Sequence, residues 1–317
     1  MAVNKTVIGV IAGAVVLGVG GIWGWAAAQD EARKKVRDFV LDNDLEDHVR
    51  YSDVSYSPLS GELVIHDVRV SDEDDAPRIK QAVIYGVEES DNEDIPREIS
   101  LALQGVEFGT KQVAEINREA HTGLVSLGYQ DLTGDLRFEF ARDSEARELS
   151  LHLAASIPKL GEVGFSGKLV NIDVNDFSGG DTQQMIGNPL MLLGLLQRSL
   201  GDLAIADLNL EYKDYGLIKR YKLVEDARSQ NWPDEPSRWD NLEEQREELI
   251  RDLKKSGLSG AQAGDIADAL IAFVESPDVI RFRTDMDRPL KIQKLFSSKK
   301  NPLDTFLQLA NAKVESN

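Results

Sequence analysis

Cysteine is absent from this chain of 317 residues, and histidine occurs only four times. Without cysteine there are no disulfides, cysteine-ligated zinc sites, iron–sulfur clusters or thiol nucleophiles. The histidines are never two or four residues apart, so the sequence has no zinc motif; they are His48, His66, His121 and His152. We therefore expect a protein that needs no metal and no other cofactor.

Basic charge is also in short supply. Lysine and arginine together number 36 against 55 aspartates and glutamates, which gives a net charge of −19. Such a surface repels a phosphate backbone, and no basic stripe in the sequence compensates, so we expect no nucleic-acid partner. Broad adsorption to anionic lipid is disfavoured for the same reason.

Catalytic motifs are missing as well. There is no G-x-S-x-G elbow, no GxGxxG loop and no Walker-type lysine. The acidic runs at residues 72–75 and 91–94 lack the frame of a calcium loop and are typical of solvated turns. We expect a protein that is not an enzyme; the alternative is a hydrolase whose serine, histidine and aspartate meet only in the folded chain.

A long apolar run opens the chain. Residues 6–28 contain no charged side chain. A helix of about 23 residues is about 35 Å long, which is enough to cross a hydrocarbon core of about 30 Å. Trp23 and Trp25 stand near its end, where indole rings favour the membrane boundary. The run predicts a single uncleaved transmembrane helix, and the alternative is a signal peptide cleaved near residues 26–28.

Small residues recur in this segment at intervals of four. Gly9 and Gly13 form one pair, and Gly20 and Gly24 form another. This spacing allows a second helix to approach closely in lipid, so we expect these glycines to pack against a membrane-protein partner. The alternative is that glycine is simply common in membrane helices.

A period of 19 residues marks the next part of the chain. Each copy joins a polar turn containing proline to an apolar strand, which indicates strands added one beside the next. The aligned positions are Ser52-Asp53, Ser71-Asp72 and Ser90-Asp91; Pro58, Pro77 and Pro96; and Val68, Val87 and Val106. Further alternating segments follow up to residue 212, with a turn expected at Thr133-Gly134. Short turns between successive strands favour an antiparallel sheet.

A leucine-rich segment interrupts the strands at residues 181–200. As a helix it would be apolar on most of its circumference. It predicts a helix that fills the core, and the alternative is an apolar surface that covers a hydrophobic groove or touches lipid or a partner. The residues chosen for this apolar surface are Leu190, Met191, Leu193 and Leu196.

The last hundred residues predict a helical hairpin. Ser237 is expected to cap the first helix and Gly257 to end it, and a second helix ends before Pro277. A returning strand follows at residues 278–287, and a closing helix at residues 302–312.

Together these patterns predict an α+β fold with a single N-terminal transmembrane helix, a mostly antiparallel curved sheet with repeated strands, and a C-terminal helical hairpin. The expected segments are an anchor at 1–28, a connecting helix at 29–50, a β-rich domain at 51–222, and the hairpin with returning strand and terminal helix at 223–317.

Residues 30–70 resemble the opening of AsmA-like periplasmic proteins, including the DUF945 group. After the membrane helix and a short basic helix, the matching positions are Tyr51, Val54, Pro58, Leu59, Asp67 and Val68. The resemblance implies an inner-membrane anchor, a curved open β-sheet or groove, and a role in phospholipid movement or envelope integrity. This chain is much shorter than the bridge-like members.

The charges beside the anchor conflict with this location. Only Lys5 precedes the apolar run, whereas four basic residues follow it at positions 33, 34, 35 and 37. The positive-inside rule alone would keep the bulk of the chain in the cytoplasm, although long domains can be translocated despite such charges. From the resemblance we nevertheless expect a bacterial inner-membrane protein with its domain in the periplasm.

Two functions are consistent with this reading. The first is a non-catalytic envelope protein whose sheet handles membrane lipid or supports a lipid-handling complex. The alternative is an accessory or assembly subunit that docks through its glycine-rich membrane helix onto a larger membrane-protein complex.

Overall fold

A computed structural model describes most of the chain after the apolar run. The described residues are 29–42, 45–46, 49–69, 76–88, 97–120, 123–172, 202–231, 237–297 and 302–317. Within these ranges, no helix combines the length and apolar character that crossing a membrane requires. Two predictions lie outside the described residues: the anchor with Gly9, Gly13, Gly20 and Gly24, and the apolar surface with Leu190, Met191, Leu193 and Leu196.

The predicted α+β class with a large antiparallel sheet is confirmed. Eleven strands pair in antiparallel fashion, and helices lie between several of them. The described residues group into two compact units: an N-terminal unit up to Ile157, and a C-terminal unit made of Pro158–Ile172 and residues 202–317. The segment boundaries expected at residues 28, 50 and 222 stay predictions.

The N-terminal unit is a six-stranded meander with two helices. Strands β1 to β6 pair in chain order, each antiparallel to the next. The elements are α1 (Gln29–Asp42), β1 (Asp53–Ser57), β2 (Glu62–Arg69), β3 (Arg78–Glu88), β4 (Glu98–Phe108), α2 (Thr110–Ala120), β5 (Leu132–Asp143) and β6 (Glu148–Ile157).

Helix α1 covers one side of this meander. Val36 on the helix, and Val54, Ile65 and Ile84 on the strands, belong to one cluster and are almost completely buried. Along β2, β3 and β4 the strand residues that face this cluster follow the two-residue period of a strand, with one three-residue step in each strand. The N-terminal unit therefore has a closed hydrophobic core.

The 19-residue period corresponds to one strand plus one turn in β2, β3 and β4. Asp67, Gly86 and Gly105 are 19 residues apart near the ends of these strands, and all have positive φ angles, of 52°, 62° and 62°. The pairing register shifts beside both glycines, once between Tyr85 and Glu88 and once between Leu103 and Val106. The repeat thus carries a β-bulge as well as a strand.

The prolines of the repeat do not share one environment. Pro58 is exposed in the turn between β1 and β2, whereas Pro77 is fully buried immediately before β3. Pro96 lies outside the described residues. The expectation of equivalent proline positions is therefore wrong for the two copies that can be compared.

The turn expected at Thr133-Gly134 is also wrong, because both residues lie inside β5. A Cβ atom added at Gly134 would lie 2.5 Å from the carbonyl oxygen of Ser156 on β6. The glycine is therefore required by the close approach of two strands, one of the reasons for glycine within a strand.

The C-terminal unit combines a short sheet with five helices and a 3₁₀ turn. Its strand order is β7-β8-β9-β11, and β10 pairs with β8. The elements are β7 (Gly161–Val170), β8 (Ala204–Asp214), α3 (Leu217–Asn231), the 3₁₀ turn Arg238–Asn241, α4 (Leu242–Lys255), α5 (Gly260–Glu275), β9 (Val279–Arg283), β10 (Leu290–Lys291), α6 (Ile292–Ser297), α7 (Pro302–Leu309) and β11 (Lys313–Ser316).

The predicted helical hairpin is present as α4 and α5. Ser237 accepts a hydrogen bond from the backbone N–H of Trp239, and so caps the 3₁₀ turn that leads into α4. Gly257, with φ of 93°, follows the end of α4. Ser259 and Gln262 form a capping box at the start of α5.

Candidate functional site

The two faces of the β7–β8 pair differ in chemistry. Successive cross-strand pairs alternate between apolar and polar, which is the pattern of a sheet with one apolar face. One face carries Val163 opposite Tyr212, Phe165 opposite Leu210, and Gly167 opposite Leu208. The other face carries Glu162 opposite Lys213, Gly164 opposite Glu211, and Ser166 opposite Asn209. We call the apolar set Val163, Phe165, Leu208, Leu210 and Tyr212 the open face.

Helix α5 packs at the side of the open face that continues onto β9 and β11. Leu210 is opposite Phe282 on β9, and Phe282 is in turn opposite Val314 on β11. Phe273 of α5 is buried and meets the ring of Tyr212 edge to face, with 5.8 Å between ring centroids. The face is therefore covered at its β9 and β11 side.

The part of the face nearest β7 keeps apolar side chains accessible. Val163 and Leu210 are 43% and 42% exposed. Each is diagonal to the other across the strand pair, a separation of about 7–8 Å. Single exposed apolar residues are ordinary on protein surfaces, but these two form one patch with Phe165 between them.

Glycine at position 167 shapes this patch. A Cβ atom added there would lie 3.3 Å from Cζ of Phe165, so the phenylalanine ring extends along its own strand over the glycine. The missing side chain leaves Leu208 without an apolar cross-strand partner at that position. The apolar surface of the β7–β8 pair therefore lacks a side chain at position 167.

The one hydroxyl group of the open face, that of Tyr212, is hydrogen-bonded within the C-terminal unit. The Tyr212 hydroxyl donates to the carbonyl of Leu160 at 3.0 Å and lies 2.9 Å from the Asp214 carboxylate. Asp214 also accepts from the backbone N–H groups of Gly216 and Ile218. The face therefore offers apolar area to a ligand rather than unpaired hydrogen-bonding groups.

A serine–histidine pair lies on the outer side of the β1–β2 hairpin. The Oγ atom of Ser55 and the Nε2 atom of His66 are 3.1 Å apart, and Asp53 is the cross-strand partner of His66. The Asp53 carboxylate, however, binds the Arg33 guanidinium, with its Oδ1 atom 3.0 Å from NH2. The backbone hydrogen bond from Val54, and then Arg33, hold the pKa of Asp53 below its ordinary value.

This pair lacks the third member of a catalytic triad. A nucleophilic serine needs a histidine that is itself oriented by a carboxylate. Among the described residues, no hydrogen bond joins Asp53 to His66; Asp53 interacts with His66 only through its charge and is hydrogen-bonded to Arg33 and to the backbone of Val54. Within the same described ranges, no group of three histidines or carboxylates is arranged to hold a metal ion.

Sequence reasoning identified the strands of the open face but not the face itself. The alternation through Leu208, Leu210 and Tyr212 is visible in the sequence and corresponds to β8. Exposure depends on which helix covers which strand, and no local pattern reports this. The leucine-rich residues expected to form an apolar surface lie outside the described part of the chain.

The region that carries the open face is also the region shared with other proteins. A family model described as "Uncharacterized protein" matches residues 154–317, which is more than half of the chain. These residues include the whole C-terminal unit. No curated protein matches the chain.

Proposed function

The chain belongs to the uncharacterized family whose model covers its C-terminal half, and from the surfaces of that half we propose that it binds lipid without catalysing a reaction. In this proposal the open face of β7–β8 contacts the acyl chain of a lipid. The chain is an envelope protein, anchored in the bacterial inner membrane with both units in the periplasm. The observation that carries the proposal is the half-exposure of Val163 and Leu210 on one contiguous apolar face.

The chemistry of the face favours an apolar ligand. Covering apolar surface gains about 25 cal/mol per Å² removed from water, and the face has no unsatisfied polar group that such a ligand would leave unpaired. Association also costs translational and side-chain freedom, so a patch of this size supports weak, reversible binding. A carrier that must release its lipid needs binding of that kind.

The charge of the chain narrows the class of lipid. With a net charge of −19, the protein is repelled by strongly anionic bilayers. A lipid that enters through its acyl chain does not depend on surface attraction. We therefore expect the open face to favour zwitterionic lipid presented singly or from a neutral bilayer.

Two features of the sequence add support. The uncharged run at residues 6–28 would place the chain beside a bilayer. The residues that resemble the AsmA-like opening lie on the β1–β2 hairpin, including Val54 on β1, Pro58 and Leu59 in the turn, and Val68 on β2. A lipid-handling function is what that resemblance implies.

The test uses the full chain in neutral phosphatidylcholine nanodiscs containing a lipid with a photoreactive acyl chain. We expect crosslinks to peptides from β7 and β8. Val163→Asp or Leu210→Asp should reduce the yield about tenfold, because an acyl chain cannot desolvate a carboxylate without large cost. Val125→Asp is the matched control, since Val125 is 48% exposed in the N-terminal unit. Equal yields in all variants would contradict the proposal.

The same preparation tests the alternative of a docking subunit. A stoichiometric membrane-protein partner that is lost when residues 6–28 are exchanged for another membrane helix would favour docking through Gly9, Gly13, Gly20 and Gly24. Retained lipid crosslinking without such a partner favours the lipid-binding function.

A further inference from the structure

A cleft of about 790 Å³ opens in the N-terminal unit at the end of β2, the start of β3 and the end of β4. Its charged lining consists of four basic side chains and two carboxylates: Arg50, Arg69, Arg78 and Lys80, with Asp67 and Glu107. The lining thus has a formal charge of +2, on a chain whose net charge is −19. The residues of the cleft are far in sequence from the open face and lie outside residues 154–317, which the family model matches.

The three arginines of the lining occupy one cross-strand row. Arg50 forms an isolated bridge with Arg69, and Arg69 pairs directly with Arg78. Directly opposite residues have Cβ atoms about 4.5–5.5 Å apart, and like charges in such positions are destabilising. The repulsion between these arginines therefore destabilises the folded state at this position.

The alternation of side chains along the strands directs these cations away from the core. Val68, Ile79 and Val106 form the neighbouring cross-strand row and are buried, whereas Arg69 and Arg78 are exposed. The buried neighbours fix the strand backbone that carries these two arginines.

Lys80 on β3 is the fourth basic side chain of the cleft. It is two residues from Arg78 and therefore on the same side of the strand, about 6.6 Å away. Its Cβ atom would lie 3.0 Å from a Cβ added at Gly105, so the lysine stem occupies the space that this glycine leaves. Gly105 itself is fixed by a backbone hydrogen bond to the Asp135 carboxylate, at 2.8 Å.

The carboxylates of the lining do not form ion pairs with Arg69, Arg78 or Lys80. Asp67 accepts a hydrogen bond from the Ser52 hydroxyl at 2.8 Å. Glu107 is the cross-strand partner of Arg78, but their side chains form no ion pair. Among the described residues, no carboxylate lies within 4 Å of the side-chain nitrogens of Arg69, Arg78 or Lys80.

We propose that this cleft binds a phosphate group carried by a small molecule or by a lipid headgroup. Guanidinium forks match the oxygens of a phosphate in bidentate geometry, and a lysine ammonium adds a point charge beside them. A bound dianion would also relieve the repulsion within the arginine row. The volume is in the range of small-molecule sites, so the ligand is larger than phosphate itself.

The sequence supplies one competing explanation. Residues 72–75 join β2 to β3, carry four consecutive carboxylates and lie outside the described residues. Internal neutralisation by this run would make the arginines structural. In that case Arg69→Gln and Arg78→Gln would lower the unfolding midpoint, and no phosphate compound would bind.

The test measures binding by isothermal titration calorimetry with the full chain in a neutral, non-ionic detergent at low ionic strength. One arm titrates inorganic pyrophosphate. The other arm titrates short-chain phosphatidic acid into the same preparation, with short-chain phosphatidylcholine as the control lipid. Binding in the first arm alone identifies a soluble ligand, and a gain with phosphatidic acid identifies a headgroup.

Matched variants make the result decisive. Arg69→Gln and Arg78→Gln should each weaken binding about tenfold or more, as expected for loss of a charge-assisted hydrogen bond. Arg69→Lys should retain part of the affinity. Arg118→Gln, which removes an exposed arginine on α2, should leave it unchanged. Absence of binding in both arms, or equal binding by the glutamine variants, would overturn the proposal, and neither result bears on the open face.

Discussion

The N-terminal and C-terminal units differ in how completely helices cover the apolar faces of their strands. In the N-terminal unit, α1 lies over the strands, and Val36, Val54 and Ile65 are sealed from water. In the C-terminal unit, α5 packs at the β9 and β11 side, and Val163 and Leu210 on the β7–β8 pair stay accessible. Both units begin from the same two-residue alternation. Alternation therefore decides which face is apolar, and the placement of helices decides whether that face is closed.

The largest expected difference between the units is in stability. Ile65→Ala should lower the free energy of unfolding by about 2–5 kcal/mol, because it creates a cavity in a closed core. Leu210→Ala should cost less than about 1 kcal/mol, since the side chain is already half in water. Urea denaturation of the full chain in detergent, followed by circular dichroism, measures both.

Equal losses for these two variants would break the comparison. They would mean that Leu210 is as well packed as Ile65 in solution, and that the open face is covered.

A second prediction concerns two glycines in strands. Gly134→Ala places a Cβ atom 2.5 Å from the Ser156 carbonyl oxygen and should cost about 1–3 kcal/mol, because backbone cannot move aside cheaply. Gly164→Ala meets nothing closer than 4.0 Å and should change stability by less than about 0.5 kcal/mol. The same denaturation experiment compares them, and a neutral Gly134→Ala would contradict the close strand approach.

A third prediction tests the helical hairpin that borders the open face. Ser259→Ala removes the side chain that caps α5 and should cost about 1 kcal/mol. Ser256→Ala is the control, because Ser256 caps the end of α4 with its backbone N–H. If the two variants lose the same stability, the capping box does not hold the start of α5.

The smallest effect is expected from the ion pair between Arg33 on α1 and Asp53 on β1. The pKa of Asp53 is lowered by the Val54 backbone hydrogen bond and by Arg33, so its contribution to stability is present above the ordinary aspartate pKa. That contribution is lost as the pH falls through the lowered value in the folded protein.

Asp53→Asn should therefore destabilise the chain slightly at pH 7 and by less at pH 2. The measurement is the difference in urea midpoint between the variant and the parent chain at the two pH values. High salt should reduce the difference at pH 7, because the pair is exposed. A difference that is the same at both pH values would show that the carboxylate charge is not involved.

Local patterns in the sequence predicted much of the secondary structure. The alternation at Leu208 and Leu210 identified β8, and Gly257 marked the end of the first helix of the hairpin. Ser237, which was expected to cap that helix, instead caps the 3₁₀ turn before it. Local patterns did not indicate α2, α3 or the final strand β11. The last of these is four residues long and gains its partner only when the chain returns to β9.

Long-range placement explains what local patterns could not predict. The arginines at positions 50, 69 and 78 are spread over about thirty residues, and only antiparallel pairing brings them into one row. The sequence therefore contains no basic stripe that would have predicted the cleft. The repeat was predicted as strands and turns, but its bulges at Gly86 and Gly105 are visible only in the pairing register.

The openness of the β7–β8 face can be measured directly, because the chain has no cysteine and each introduced thiol is unique. Val163→Cys, Leu210→Cys and the buried control Ile65→Cys should be labelled with a maleimide in the full chain, with and without neutral phosphatidylcholine. Fast labelling at positions 163 and 210, slowed by the lipid, with slow labelling at position 65 throughout, is the predicted result. Labelling at positions 163 and 210 as slow as at position 65 before lipid is added would contradict an open apolar face.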